Sequence, residues 1–261
     1  MTSNEYRRRL DQLFQVITRG LTHYAVWKKL RLRDPESVEW SLEQQNQILG
    51  RFRGFLTPVA IALLDMTLIE FAKVFDADTK TASLRNLLRS ARRNPTLVPH
   101  ASTEDLRRIS SELKQYSGLL TNLNRKRSQE LVHVDALPEP VDPILTADFD
   151  KLAMWVRSAF NTLSTGHDQS FFSWEHSLNT SEGQTTEVLG ILLKDIGARQ
   201  QEYEETTVRI GLDVAQDFEK TMGHRPDSEE IRSVTQSYGL TQGQMQRVEA
   251  EYRARNQGVQ T

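Results

Sequence analysis

The sequence has 261 residues, of which 38% are hydrophobic and 26% are charged, with a formal net charge of −2 and no cysteine. These values are typical of a folded globular protein and exclude a disordered chain, a disulfide framework, a thiolate metal site and a cysteine nucleophile. Residues 7–9 are three arginines and no apolar segment of the signal-peptide kind follows, so we expect a cytoplasmic protein.

The net charge conceals an uneven distribution along the chain. Residues 1–33 carry 8 Lys/Arg against 2 Asp/Glu, and residues 82–133 carry 10 against 4, whereas residues 139–261 carry 11 against 20. A basic region of this kind can bind phosphate groups. Solvated helix faces, or basic and acidic parts that pack on one another, give the same counts, so the charges alone leave both interpretations open.

Apolar residues recur at intervals of three and four, which predicts α-helices throughout and an all-α fold. The first helix is expected over residues 4–31, and a second from about 35 to 49 after an Asp-Pro break. Gly50 and Gly54 are expected to mark a break or a close contact. A core helix should follow over residues 57–75.

This core helix lies in the most apolar stretch of the chain, residues 55–75. Asp65, Glu70 and Lys73 interrupt that stretch. We therefore interpret it as a buried helix and not as a membrane span.

The next segment carries recognisable helix starts. Ser83 is expected to cap a helix that ends at Arg93, and Ser102 to cap a second helix that continues to about Val134. Prolines then make residues 135–146 a rigid connection. The loop between the two capped helices also contains prolines.

A further helix is expected from Ala147 to about Thr165, closed by Gly166. Residues 167–183 are then expected to form a loop with an aromatic cluster. Such a cluster can stack nucleobases, but packing against the core or a dimer contact is the preferred interpretation. The cluster consists of Phe171, Phe172 and Trp174.

The tail from about residue 186 is predicted to be helical and acidic, and residues 229–245 show the rhythm of a helix-turn-helix. Residues 227–255 contain 4 basic and 5 acidic residues, which is unfavourable for DNA binding. A plain helical hairpin is preferred, with a transcriptional regulator as the weaker alternative. The acidic region is also a candidate contact for a protein partner.

Several familiar sites are absent from the sequence. It has no Gly-rich phosphate loop, no His-Glu-x-x-His zinc motif and no Gly-x-Ser-x-Gly nucleophile motif. The six histidines lie far apart in sequence. We therefore expect neither a metal site nor a cofactor.

One arrangement can carry chemistry: Arg127, with His133 six residues later. Histidine can transfer a proton near neutral pH, and arginine can stabilise charge that develops on phosphoryl oxygens. Together they suit RNA cleavage in which the ribose 2′-hydroxyl attacks the neighbouring phosphorus without a metal. The spacing alone is not distinctive, because Arg93 and His100 repeat it within a loop. Only the first pair lies at the end of a long predicted helix and inside a basic segment.

The stretch Arg127-Ser-Gln-Glu-Leu-Val-His133-Val-Asp135 resembles the motif Arg-Asn-Lys-x-x-Ala-His-Arg-Asp of the HEPN superfamily, specifically the abortive-infection AbiU type. The resemblance extends upstream through Phe75-Asp76 and residues 83–88, and downstream to residues 145–146 and the helix after them. It implies a HEPN-like helical bundle over residues 1–165, with a helical C-terminal extension over residues 166–261.

The resemblance also implies a function. It implies a homodimer in which two Arg/His motifs meet in one cleft and act as a metal-independent endoribonuclease, serving as a toxin or a phage-defence effector. By this likeness Arg127 would polarise the scissile phosphate and His133 would be the acid/base. The residues expected to contact the RNA are Arg125, Lys126, Ser128 and Asp135.

The stretch also departs from the family pattern. Ser128 stands where active members often have Asn, Asp or His, and Val134 replaces an arginine. Asp135 stands where HEPN toxins silenced by a partner nucleotidyltransferase have tyrosine, which argues against that mode of control. The alternative is a non-catalytic HEPN-like dimeric scaffold that binds a protein. In that case Arg127 and Glu130 would form an ordinary surface pair.

Overall fold

The computed structural model describes residues 1–32, 39–128 and 143–257. These residues form α-helices, one 3₁₀ turn at Pro95–Leu97, a π-helical segment at residues 127–128 and connecting loops, with no strand among them, which confirms the all-α prediction. The helices are α1 (Ser3–Leu30), α2 (Leu42–Val74), α3 (Leu84–Arg93), α4 (Thr103–Gln115), α5 (Ser117–Lys126), α6 (Thr146–Asp168), α7 (Glu175–Met222), α8 (Ser228–Ser237) and α9 (Gln242–Gln257).

The chain divides into two compact units, Met1–Leu189 and Gly190–Thr261, and the division falls within α7. The predicted boundary after residue 165 is the end of the HEPN-like region, which the sequence resemblance defines. The division into compact units follows contacts within the chain and does not test where that region ends, so the boundary stays a prediction.

The core of the N-terminal unit is built around α1, which packs against α2 and α6. The buried residues of α1 recur at helical spacing, as its sequence predicts. Each fully buried leucine or phenylalanine of such a core contributes about 1.5–3 kcal/mol relative to an exposed one. The large buried side chains of α1 are Tyr6, Leu10, Leu13, Ile17, Leu21 and Tyr24.

The second helix differs from its prediction. Ser41 caps α2 at Leu42, and the helix then continues through Gly50 and Gly54, with a kink at Phe52 (φ −116°, ψ 15°). A Cβ added at either glycine would meet nothing within 4 Å, so the expectation of a close contact is wrong. A glycine in a helix costs only about 1 kcal/mol, which the apolar residues on both sides can offset.

Only the C-terminal part of α2 is buried in the way a core helix requires. Phe55, Ile61 and Met66 remain 66%, 56% and 42% exposed. Among the described helices, α2 alone is long and apolar enough to cross a membrane by length and composition. One such helix is weak evidence for a span, because core helices of soluble proteins pass the same test, and α2 also contains Asp65 and Glu70. The absence of a membrane span stays a prediction.

In the segment that leads to the candidate motif, both helices start where the sequence predicts, but the second is interrupted. The Ser83 hydroxyl accepts from the Asn86 N–H at 3.3 Å, and the Ser102 hydroxyl accepts from the Asp105 N–H at 3.0 Å, which confirms both caps. The single helix expected from Ser102 instead divides at Tyr116 (φ −87°, ψ 4°) into α4 and α5. Its predicted continuation to residue 134 lies partly outside the described residues.

Gly166 has a different role from the predicted one. It lies inside α6, which ends two residues later, and Gln169 forms the left-handed cap with φ 63°. A Cβ at Gly166 would lie 2.6 Å from the Ala101 Cβ. The glycine therefore permits close packing between α6 and the segment before α4, and the prediction that it closes the helix is wrong.

The C-terminal unit contains the end of α7 together with α8 and α9. Gly239 (φ 77°) lies in the short turn between α8 and α9. A Cβ at Gly211 would lie 2.6 Å from the Val248 Cγ2, so α7 and α9 approach closely here. The buried residues of this unit's core are Val208, Leu212, Ala215, Ile231, Leu240, Val248 and Tyr252.

Candidate functional site

The described part of the Arg/His motif is the last turn of α5 and the π-helical residues 127–128 that continue it. Arg127 is the residue that caps α5, and its backbone N–H donates to the carbonyls of Leu123 and Asn124. Its side chain is half-buried, whereas Ser128 is exposed. Arg125 and Lys126 occupy the last turn of the same helix. The four basic and polar residues of the motif are therefore adjacent to one another at one helix end.

The rest of the predicted site lies outside the described residues. This applies to His133 and Asp135, and to Glu130 of the alternative surface pair. The proximity of His133 to Arg127 therefore stays a prediction. The proline-rich connection at 135–142 lies outside the description as well.

A second basic group lies on α3 and was not predicted as a site. Arg85, Arg89 and Arg92 are spaced i, i+4 and i+7, so they share one face of the helix. The opposite face is buried in the core of the N-terminal unit through Leu84 and Leu87, among others. Burial of that apolar face fixes the rotation of α3, so Arg89 and Arg92 are exposed while Arg85 is partly buried.

These arginines form one wall of a surface pocket of about 730 Å³ between α3 and α4. We call it the basic pocket. It brings five cationic side chains together, and no carboxylate lines it. Its lining residues are Arg85, Leu88, Arg89, Arg92, Arg93, Ser110, Leu113, Lys114 and Ser117.

The neighbouring carboxylates of α4 are held elsewhere. Asp105 accepts from the Ser102 hydroxyl at 2.6 Å and pairs with Arg108 at 3.0 Å, and both contacts lower the pKa of this carboxyl. Glu112 accepts from the Trp155 Nε1 at 2.8 Å. Among the described residues, no carboxylate forms an ion pair with a cation of the basic pocket. Its positive charge is therefore left for a ligand or for solvent.

Two arginines of the basic pocket, Arg92 and Arg85, differ in their hydrogen bonding. The Arg92 Nη1 donates to the Ser110 Oγ at 3.2 Å, which holds this guanidinium against α4. The Arg85 Nε is buried and has no hydrogen-bond partner. Ser117, the first residue of α5, also lines the pocket, and the preceding Tyr116 gives the helix no side-chain cap. The C-terminus of α4 lies one residue before the N-terminus of α5, so the opposite dipole ends of the two helices largely cancel there, and the positive field of the pocket comes from its five cations.

The aromatic cluster mostly belongs to the core. Trp174 is 1% exposed, and its Nε1 donates to the Thr18 Oγ1 at 3.1 Å. Asn161 holds the backbone of Phe172 through two hydrogen bonds of 2.9 and 3.0 Å. Only Phe171, at 74% exposure, remains outside. The preference for packing over base stacking is confirmed for Trp174 and Phe172.

The C-terminal unit does not offer the basic face that a DNA-binding regulator needs. In its described part, α8 and α9 are joined by a short turn as the sequence predicts, but most cations near them pair with carboxylates. Glu249 contacts two arginines, and a hydrogen bond from Ser228, with the two arginines, lowers its pKa. The ion pairs are Arg225–Glu219, His224–Glu230, Arg232–Glu249, Arg247–Glu251 and Arg253–Glu249.

The fold and the site thus define a class, an all-helical protein with a basic pocket free of carboxylates and a basic turn at the end of α5. In comparisons with family models, curated proteins and solved structures, no match to the chain was found. The HEPN resemblance therefore rests on residues 127–135 and their sequence context, and stays a prediction.

Proposed function

We propose that this protein is a metal-independent endoribonuclease of the HEPN type that acts in the cytoplasm as a toxin or phage-defence effector. The observation that supports the proposal is the position of Arg127. It ends α5 directly after Arg125 and Lys126, in the same unit as the basic pocket. A helix of ten residues is about 15 Å long, so the two basic groups lie at opposite ends of one short helix.

The proposed chemistry needs one proton transfer and one stabilised charge. The 2′-hydroxyl of the RNA attacks the adjacent phosphorus, and the bond to the 5′-oxygen of the next nucleotide breaks. His133 takes the hydroxyl proton and protonates the leaving oxygen, directly or with the histidine of a second copy. Arg127 stabilises the charge on the phosphoryl oxygens.

The other assigned roles concern binding and assembly. Arg125 and Lys126 would contact the RNA backbone, with Ser128 and Asp135 beside them. A homodimer would bring two motifs into one cleft. The exposed apolar side chains Phe55 and Met66 of α2 are available for such an association, because exposed apolar surface often marks an interaction site.

A second function, that of a non-catalytic dimeric scaffold for a protein partner, is favoured by the same surface of α2. Phe55 and Met66 lie about three turns apart on nearly the same side of that helix, and both are substantially exposed. The acidic C-terminal region offers a different type of contact to such a partner.

The test is incubation of the full chain with total RNA and with short single-stranded oligomers in the presence of EDTA. His133→Ala and Arg127→Ala are the test variants, and Arg107→Ala, an exposed α4 position outside the basic pocket, is the matched control. We expect products with 2′,3′-cyclic phosphate ends. Loss of the acid/base should lower the rate by about 10²–10⁴-fold, with little effect in the control.

The outcomes separate the two functions. Cleavage that persists in both test variants would refute the site. A wild-type protein that leaves every RNA intact, yet forms a dimer and retains a protein through α2, would favour the scaffold.

A further inference from the structure

The basic pocket holds more positive charge than one phosphodiester needs. It gathers four arginines and one lysine around about 730 Å³, a volume within the usual range for small-molecule sites. Arg85 and Arg89, and Arg89 and Arg93, are i, i+4 neighbours of like charge, which repel each other. A ligand with several negative charges close together would remove this repulsion, whereas a single diester charge would leave most of it.

The lining of the basic pocket also favours a phosphate ligand. Donors converge on it from α3, α4 and the first residue of α5, and Leu88 and Leu113 supply apolar lining between them. Guanidinium groups bind phosphate through paired N–H donors, which four arginines of the pocket can supply. The buried Arg85 Nε is a donor that still lacks an acceptor.

We propose that the basic pocket is a receptor for a polyphosphate group, meaning two or more adjacent phosphates. Such a group occurs in free nucleoside polyphosphates and at the 5′-triphosphate end of an RNA, and the pocket chemistry is the same for both. The proposal goes beyond RNA cleavage, because it concerns a ligand that is held at a separate place and holds whether or not Arg127 and His133 are catalytic.

The direct test is isothermal titration calorimetry of the full chain with inorganic tripolyphosphate, and with orthophosphate for comparison. Arg89→Gln and Arg92→Gln each remove one charge from an exposed position of the pocket. Arg107→Gln removes the same charge from an exposed α4 position that does not line it. Unchanged helicity and melting temperature would show that all three variants are folded.

We expect one tripolyphosphate per chain, bound more tightly than orthophosphate. Each pocket variant should weaken binding roughly tenfold or more, because each removes a charge-assisted hydrogen bond, while the Arg107 variant should bind like the wild type. Absence of saturable binding would overturn the proposal. Equal weakening in the Arg107 variant would also overturn it, because the attraction would then come from overall charge.

Competition then identifies the source of the polyphosphate. The competitors are a nucleoside triphosphate, a single-stranded RNA with a 5′-triphosphate and the same RNA with a 5′-hydroxyl. Stronger displacement by the nucleotide indicates a free ligand, and stronger displacement by the triphosphate RNA indicates an RNA end. If the 5′-hydroxyl RNA displaces tripolyphosphate as well as the triphosphate RNA does, the polyphosphate assignment is wrong. Repeating the titration with His133→Ala separates this result from any failure of cleavage.

Discussion

The salt dependence of RNA binding distinguishes the two basic groups of the N-terminal unit. For single strands, the logarithm of the binding constant falls with the logarithm of the salt concentration with a slope of about −0.7 for each phosphate neutralised. If the backbone of a 5′-hydroxyl RNA contacts only the end of α5, at most Arg125, Lys126 and Arg127 contribute, and the slope is about −2. If the backbone also fills the basic pocket, five more cations contribute, and the slope is about −5.6.

The two values are far enough apart to measure. A rise from about 50 to 200 mM salt weakens binding roughly 20-fold with the shallow slope and roughly 2,000-fold with the steep one. We expect the shallow slope of about −2. In Arg127→Ala the slope should be less steep by about 0.7, because one fewer phosphate is neutralised. The assay is fluorescence anisotropy of a labelled 5′-hydroxyl oligomer, with His133→Ala as the parent protein so that the RNA stays intact.

Either extreme would refute part of this reasoning. A slope near zero, or no binding, would remove the RNA-binding role from the end of α5. A slope near the steep value that becomes shallower in Arg89→Gln would mean that the basic pocket binds ordinary backbone. The polyphosphate assignment would then fail while RNA binding would stand.

Two further predictions concern stability. Gly166→Ala would place a Cβ 2.6 Å from the Ala101 Cβ and should lower the free energy of unfolding by about 1–3 kcal/mol. At the control position Gly183 in α7 a Cβ meets nothing within 4 Å, so Gly183→Ala should raise that free energy by up to about 1 kcal/mol. Equal effects of the two substitutions in thermal melts would contradict the close packing at Gly166. Burial lowers the pKa of His23 below its ordinary 6.5; the Glu70 carboxylate raises this pKa, and Arg19 lowers it. As the pH falls through 6.5, His23 is therefore protonated in the unfolded chain before it is protonated in the folded one, and stability is lost. His23→Gln should therefore lose less stability than the wild type between about pH 7.5 and 5.5 in urea melts, and an identical loss in both proteins would refute this origin.

The parts of the fold that the sequence predicted well depend on local interactions. The apolar spacing of α1 predicts which of its side chains are buried, because a helix exposes the same face over its whole length. The starts of α3 and α4 follow from Ser83 and Ser102, whose hydroxyls bond to the backbone three residues later. Such contacts need no knowledge of distant parts of the chain.

The wrong predictions concern residues whose environment comes from elsewhere in the chain. Gly166 was expected to end α6, because glycine is common after a helix, yet the close approach of Ala101 is what requires it. Gly50 and Gly54 are expected to mark a break or a close contact; the non-helical Phe52 between them agrees with the break, whereas neither glycine makes a close contact. The break at Tyr116, by contrast, directly precedes Ser117-Gly118, and a Ser-Gly pair is a local signal for a helix kink that the sequence does contain.

The candidate site shows the same division between what is local and what is not. The excess of basic residues over 82–133 is countable, and the spacing of Arg85, Arg89 and Arg92 predicts a shared helix face. A basic stripe of this kind on a helix without neighbours is an ordinary solvated surface. The packing of α3 against α4 places Lys114 and Ser110 opposite the stripe and directs Glu112 away towards Trp155. The separation of acids from bases, rather than the number of bases, therefore makes this part of the molecule a candidate anion site.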